Sequence, residues 1–147
     1  MAYYGASTGL TGVNDVVSTS RVHTTTDRHL TSSFVDHITS GNHVVPSGYR
    51  GIILAFGFCG GISELNLGQV AFRIRLTGSA SSNPTEAKGH QGYEDFDGGD
   101  ITDFQAFDVG NGTYQVRLQA RESLGAIVLN ARAQKDLLFS TCLTYRA

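Results

Sequence analysis

The chain has 147 residues, the size of one domain rather than two, and its apolar (40%) and aromatic (10%) content is enough for one core. A formal charge of −2 and a pI of about 6.2 give no long-range attraction for a phosphate backbone, which disfavours a nucleic-acid partner. Eighteen glycines with only 16% charged residues exclude a coiled coil and point to a turn-rich β protein, and two cysteines exclude a disulfide-dense miniprotein.

The N-terminus reads Met1-Ala2-Tyr3-Tyr4-Gly5, with no basic residue before Arg21. The expectation is therefore no signal peptide and synthesis in a cytoplasm. Residues 1–33 are rich in Ser and Thr, with few aliphatics, and bury little surface per residue. They read as an extended polar N-terminal arm, either a loose tail or a segment ordered on a neighbouring subunit or partner. Tyr3 and Tyr4 are its candidate anchor.

From Phe34 onward, short apolar runs alternate with turn residues, the pattern of successive strands. Phe34 to Ile38 is followed by Ser40-Gly41-Asn42, then His43-Val44-Val45 and the turn Pro46-Ser47-Gly48. Residues 51–59 are apolar on both faces but too short to span a bilayer, which needs roughly 20 residues. No membrane segment is expected, and this strand must be covered on both sides, by two sheets or by a second subunit. Next, Val70, Phe72, Ile74 and Leu76 alternate with Ala71, Arg73, Arg75 and Thr77, which puts two arginines on the face opposite the apolar set.

Residues 63–66 and 84–88 could each form one helical turn. Asn111-Gly112 lies between 107–109 and 114–121, and this pair tolerates positive φ, so a β-hairpin is expected there. Strands are also expected over 126–129 and 137–145. The last of these has Leu137, Phe139 and Leu143 on one side and Leu138 and Cys142 on the other.

The candidate chemical constellations are weak. His23, His29, His37 and His43 are spaced by 6, 8 and 6 residues, matching no local metal motif, and read as scattered surface residues. A cupin metal site would need a second histidine two residues from His43, and there is none. Cys59 and Cys142 sit in apolar patterns and read as buried thiols rather than a disulfide. Residues 94–103 hold five carboxylates but lack the Gly and Glu positions of an EF-hand loop, which leaves a solvated acidic loop, a charged partner patch or a Ca²⁺ site. Gly5-Ala6-Ser7-Thr8-Gly9 matches a nucleophile elbow in letters only, because no strand precedes it. No cofactor motif is present and no enzyme is expected. Arg73 and Arg75 share one strand face, and Arg117, Gln119 and Arg121 another, as ordinary solvated residues or as an interface that meets carboxylates of another subunit.

A polar arm leading into a helix-free sandwich, with Val44-Val45-Pro46-Ser47-Gly48-Tyr49 before the doubly apolar strand and an apolar strand at the C-terminus, resembles the trimeric jelly rolls of the tumour-necrosis-factor-like type. Small proteins of that design serve as head decoration, or cement, proteins of tailed bacteriophages, and similar modules form tail-fibre tips. The resemblance covers about residues 34–147 and rests on architecture, not on a signature motif. It implies an all-β antiparallel jelly-roll sandwich that forms a homotrimer on the virion head surface and stabilises the major capsid (coat) protein lattice. The expected trimer axis is lined by Phe56, Phe58, Phe139 and Tyr145, and the expected partner contacts are Tyr3, Tyr4, Arg73 and Arg75. The alternative is a receptor- or glycan-binding fibre tip with Tyr49, Tyr93 and Phe96 as stacking surfaces. The lack of an upstream shaft favours decoration.

Overall fold

Alternating apolar and polar residues put one side of each strand in a core, and this chain does so in nearly every segment that pairs. The computed structural model describes residues 13–23, 28–59, 62–64, 69–81, 87–91, 101–124, 127–129 and 136–146, with side chains over 18–23, 30–59, 71–81, 102–122 and 136–146. Among these residues there is no helix. The strands are β1 (Val13–His23), β2 (Arg28–His29), β3 (Val35–Thr39), β4 (His43–Val45), β5 (Tyr49–Cys59), β6 (Ile62–Glu64), β7 (Gln69–Gly78), β8 (Ala87–Gln91), β9 (Ile101–Val109), β10 (Gly112–Leu124), β11 (Ile127–Leu129) and β12 (Leu137–Arg146).

All pairings are antiparallel, and two sheets form the body. The first has the order β1-β12-β5-β9 and the second β3-β10-β7-β8, with β4 also on β10, while β2-β11-β6 form a small third sheet. The core lies between the first two, where Ile53, Ala55, Leu138 and Cys142 meet Phe72, Ile74, Val116 and Leu118, all at most 1% exposed. Beyond Phe72, where the described pairing with β8 ends, the Asp103 carboxylate reaches across from β9 and accepts the Ile74 N–H at 3.2 Å. Ser40 marks the break between β3 and β4. Its N–H donates to the Val116 carbonyl and its Oγ accepts the Val116 N–H, both at 2.9 Å, so the ladder on β10 continues through the break.

Several expectations hold. The alternation of Phe72, Ile74 and Leu76 against Arg73 and Arg75, the two sides of the last strand, and the Pro46-Ser47-Gly48 turn are as read, with Gly48 at φ 82° and the Tyr49 N–H on the Pro46 carbonyl. Three are corrected. The Asn111-Gly112 turn joins no hairpin, because β9 pairs with β5 in one sheet whereas β10 pairs with β7, β3 and β4 in the other. The two residues between them carry the chain from one sheet to the other. Gly112 at φ 149° makes that crossing, and the Tyr114 hydroxyl ties it down by donating to the Gly110 carbonyl at 3.0 Å.

The second correction concerns the arm. Residues 13–23 are not separate from the domain but form an edge strand paired with β12 from Val13↔Tyr145 to His23↔Leu137, and Val22 packs against the core. Hydrogen bonds from polar side chains secure it, as where the Gly41 N–H donates to Ser20 Oγ at 2.9 Å. Low aliphatic content hid this, since an edge strand covers the core with only every second side chain. The third correction is that Ile62–Glu64 and Ala87–Gln91 are strands, not helical turns; 65–66 and 84–86 lie outside the described residues, as do Tyr3 and Tyr4.

Deleting residues 1–23 therefore exposes the β12 edge and removes Val22 from the core. We expect a loss on the order of 3 kcal/mol or more in urea unfolding, from nine paired positions and the apolar contact together.

Candidate interaction faces

The outward side of the first sheet is apolar across three of its strands. In β5 the odd residues point inward and the even ones outward, and the outward set is Ile52, Leu54, Phe56 and Phe58. Register then aligns apolar neighbours on both sides. Phe139 of β12 and Phe104 of β9 both lie opposite Phe56, which gives a row of three phenylalanines across the sheet. Leu143 lies opposite Ile52, Leu137 opposite Phe58, and Ala106 opposite Leu54.

Phe104 is 60% exposed, Ile52 38% and Phe56 37%. With aromatic side chains of roughly 200 Å², these three and their half-buried neighbours present an apolar patch on the order of 400 Å², within the roughly 300–600 Å² of the largest patch on a typical monomer, which is often functional. One end of the patch is polar. There Arg50 forms an ion pair with Asp108 at 2.8 Å, and the Tyr145 hydroxyl donates to Asp108 at 3.2 Å. Of the four residues expected at a subunit interface, Phe56, Phe58 and Phe139 lie within the patch and Tyr145 on its rim. Phe104 was missed by the sequence reading, although its alternation with Asp103 and Gln105 was legible.

The outward side of the second sheet is cationic. Register puts Arg75 opposite Arg117 and Arg73 opposite Gln119, so the two arginine pairs seen separately in the sequence form one cluster. It is organised within the chain. Arg117 pairs with Asp36 of β3, Gln119 donates to the other Asp36 oxygen at 2.6 Å, and Arg73 Nε donates to Gln119 at 2.7 Å. Phe34 lies beneath two guanidinium groups, 3.9 Å from Arg73 and 4.9 Å from Arg121, a cation–π arrangement. The partner of Arg117 is thus a carboxylate of its own chain, and Nε of both Arg75 and Arg117 is buried with no hydrogen-bond partner.

Two histidines read as surface residues are in fact internal. His43 is fully buried between β1 and β12, with Nδ1 2.5 Å from Ser18 Oγ and Nε2 2.7 Å from Ser140 Oγ. Hydroxyls can donate or accept, so they satisfy a neutral ring, and burial pushes the His43 pKa down. His37 on β3 has a side chain only 1% exposed, and its Nε2 lies 2.6 Å from Asp136 Oδ2, just before β12. Both histidines point inward because the strand register, not the sequence spacing, decides which face they take.

Cys59, at the end of β5, hydrogen-bonds the same Asp136, and burial followed by that carboxylate raises its pKa well above the ordinary range. Burial pushes Cys142 up to about 11. Both cysteines are free, buried thiols, as expected, and neither is an activated nucleophile. In the His37–Asp136–Cys59 cluster the carboxylate, not the imidazole, stands between the other two groups, the wrong order for a Cys–His pair.

Tyr49, offered as a loop aromatic, is a half-buried strand residue packed against the core, whereas Tyr93 and Phe96 lie outside the described residues. The acidic stretch is described only from Ile101; there Asp103 accepts the Ile74 N–H within β7 and a hydrogen bond from Gln105 at 3.4 Å. No helix among the described residues is long and apolar enough to cross a membrane. Neither a protein-family model nor a curated protein matches this sequence.

The lowered pKa of His43 has a pH consequence. The unfolded histidine takes up a proton as pH falls below its ordinary value of 6.5 while the buried ring resists, so this contribution is complete above that value and is lost below it. Urea midpoints measured from pH 8 to pH 5.5 should decline across the lower half of that range, and His43→Gln should flatten the decline.

Proposed function

We propose that this chain is a non-catalytic structural module that self-associates as a homotrimer and decorates the surface of an assembled viral head. The observation that carries the first part is the apolar outward face of β12, β5 and β9, bordered at one end by Arg50, Asp108 and Tyr145. A second copy is the occupant it suits best: an interface centre free of charge with a polar rim is the anatomy of obligate homomeric contacts. At roughly 25 cal/mol per Å², covering on the order of 400 Å² on each chain yields about 10 kcal/mol per subunit, against association costs of about 4–15 kcal/mol, so the patch would supply the centre of an interface whose rim adds the remaining area.

The strand order supports the second part. Taking β3 and β4 as one broken strand, the chain changes sheet at each step among the strands of the two main sheets, except from β7 to β8, which pair side by side in the second sheet. That order is compatible with a jelly roll, an architecture that recurs in viral capsid proteins and lectins. Attachment to a repetitive coat lattice would use surfaces that remain outside once the apolar faces are covered, and the arginine-bearing side of the second sheet is one of these. The protein would then act by mass action, each bound copy adding to lattice stability in proportion to RT ln(1 + [L]/Kd), with many copies acting together. A glycan- or receptor-binding tip fits the same winding and stands as the alternative.

Light scattering of the purified chain at micromolar concentration should return a trimer mass, and Phe56→Asp or Phe104→Asp should reduce it to a folded monomer. A monomeric wild type would overturn self-association. Heads lacking the chain should rupture at lower temperature and regain resistance when it is added back. Heads that stay equally robust but adsorb poorly to cells would replace decoration with receptor binding.

A further inference from the structure

The buried cluster at one end of the sandwich has a composition that ordinary core packing does not require. His37 comes from the second sheet, Cys59 from the end of β5 and Asp136 from the residue before β12, so three distant stretches and both sheets converge. One donor atom from each, nitrogen, sulfur and oxygen, lies within 4.8 Å of the other two. The Cys59 residue is 1% exposed, and the His37 and Asp136 side chains are 1% and 0% exposed. Nε2 is the nitrogen that faces Asp136, while Nδ1, on the opposite side of the ring, is buried with no hydrogen-bond partner, so each residue offers this cluster one donor atom.

We propose that His37, Cys59 and Asp136 form a binding site for a single divalent ion of the zinc class, which ties the two sheets together. The donor set fits such an ion. Thiolate, imidazole and carboxylate are its usual protein ligands, and harder ions such as Mg²⁺ or Ca²⁺ prefer an all-oxygen shell. Charge also balances: one thiolate and one carboxylate neutralise a dication.

Bonds of about 2.0–2.3 Å in a tetrahedral shell place ligand atoms roughly 3.3–3.8 Å apart, so the 2.6 Å contact between His37 and Asp136 opens by about an ångström as the ion replaces the hydrogen bond. On binding, the Cys59 S–H bond breaks, its proton leaves to solvent and a metal–sulfur bond forms. The imidazole binds as the neutral base. No electron changes hands, and affinity rises with pH because a proton is displaced. The three residues leave the fourth position of the shell for water or another donor. With the ligands buried, the ion's role is a staple, and this role is independent of what the outer faces bind.

The test uses the full chain stripped with a chelator and titrated with Co²⁺, then Zn²⁺. One equivalent of Co²⁺ should bind with a thiolate-to-cobalt charge-transfer absorption, Zn²⁺ should abolish that absorption by displacement, and the unfolding temperature should rise with either metal. Cys142→Ser should keep the absorption and Cys59→Ser should lose it, while His37→Gln should weaken binding tenfold or more. Should Cys59→Ser fail to fold, the wild type and Cys142→Ser still decide the matter. The proposal is overturned if the wild type takes up no stoichiometric Co²⁺, binds it without the sulfur absorption, or loses that absorption in Cys142→Ser.

Discussion

Period-two alternation along β5 and β12 is the constraint on which the rest of the molecule depends. Both strands are apolar on both sides, and a pleated strand can turn only one side toward the second sheet of its own domain. The inward set, with Ile53, Ala55, Leu138 and Cys142, closes the core against Phe72, Ile74, Val116 and Leu118. The outward set is then left as a row of phenylalanines and aliphatics that nothing in the described chain covers. A shift of one residue in the β5–β12 register would exchange the two sets, so the same alignment that makes the core also makes the exposed face.

The two outer faces solve opposite problems. The second sheet carries four arginines, two of them directly opposed, which would repel one another if left alone. Asp36, Gln119 and the Phe34 ring organise them into a hydrogen-bonded and stacked cluster, so that face is stable in contact with water. No comparable polar network covers the first sheet, whose only described ion pair is at its rim. Covering by like chains, as proposed above, would relieve the first sheet and leave the second available.

Polar groups inside the sandwich are placed where they join elements that backbone pairing does not. His43 links β4 to β1 and β12 through Ser18 and Ser140, and Ser40 carries the ladder across the break between β3 and β4. Asp103 and Asp136 each reach between the two main sheets, the first to a backbone N–H of β7 and the second to His37 of β3. Such groups are costly to bury unless satisfied, so each one restricts the sandwich to a single relative placement of its sheets.

The amino-acid sequence by itself determined the all-β class, the apolar strands later seen as β5, β7, β10 and β12, the core side of β7 and the two side-chain sets of β12, because alternation is a local property. It also showed that β5 is apolar on both sides, with Phe56 and Phe58 on the side opposite Ile53 and Ala55. Only the tertiary structure decided which strands pair. The Asn111-Gly112 turn has the same local chemistry whether it closes a hairpin or crosses between sheets, and a Ser- and Thr-rich strand such as β1 announces itself only through the edge it covers. The same holds for the buried histidines. His37, Cys59 and Asp136 are far apart in the chain, and what brings them together is the register of three strands in two sheets, which no local spacing records.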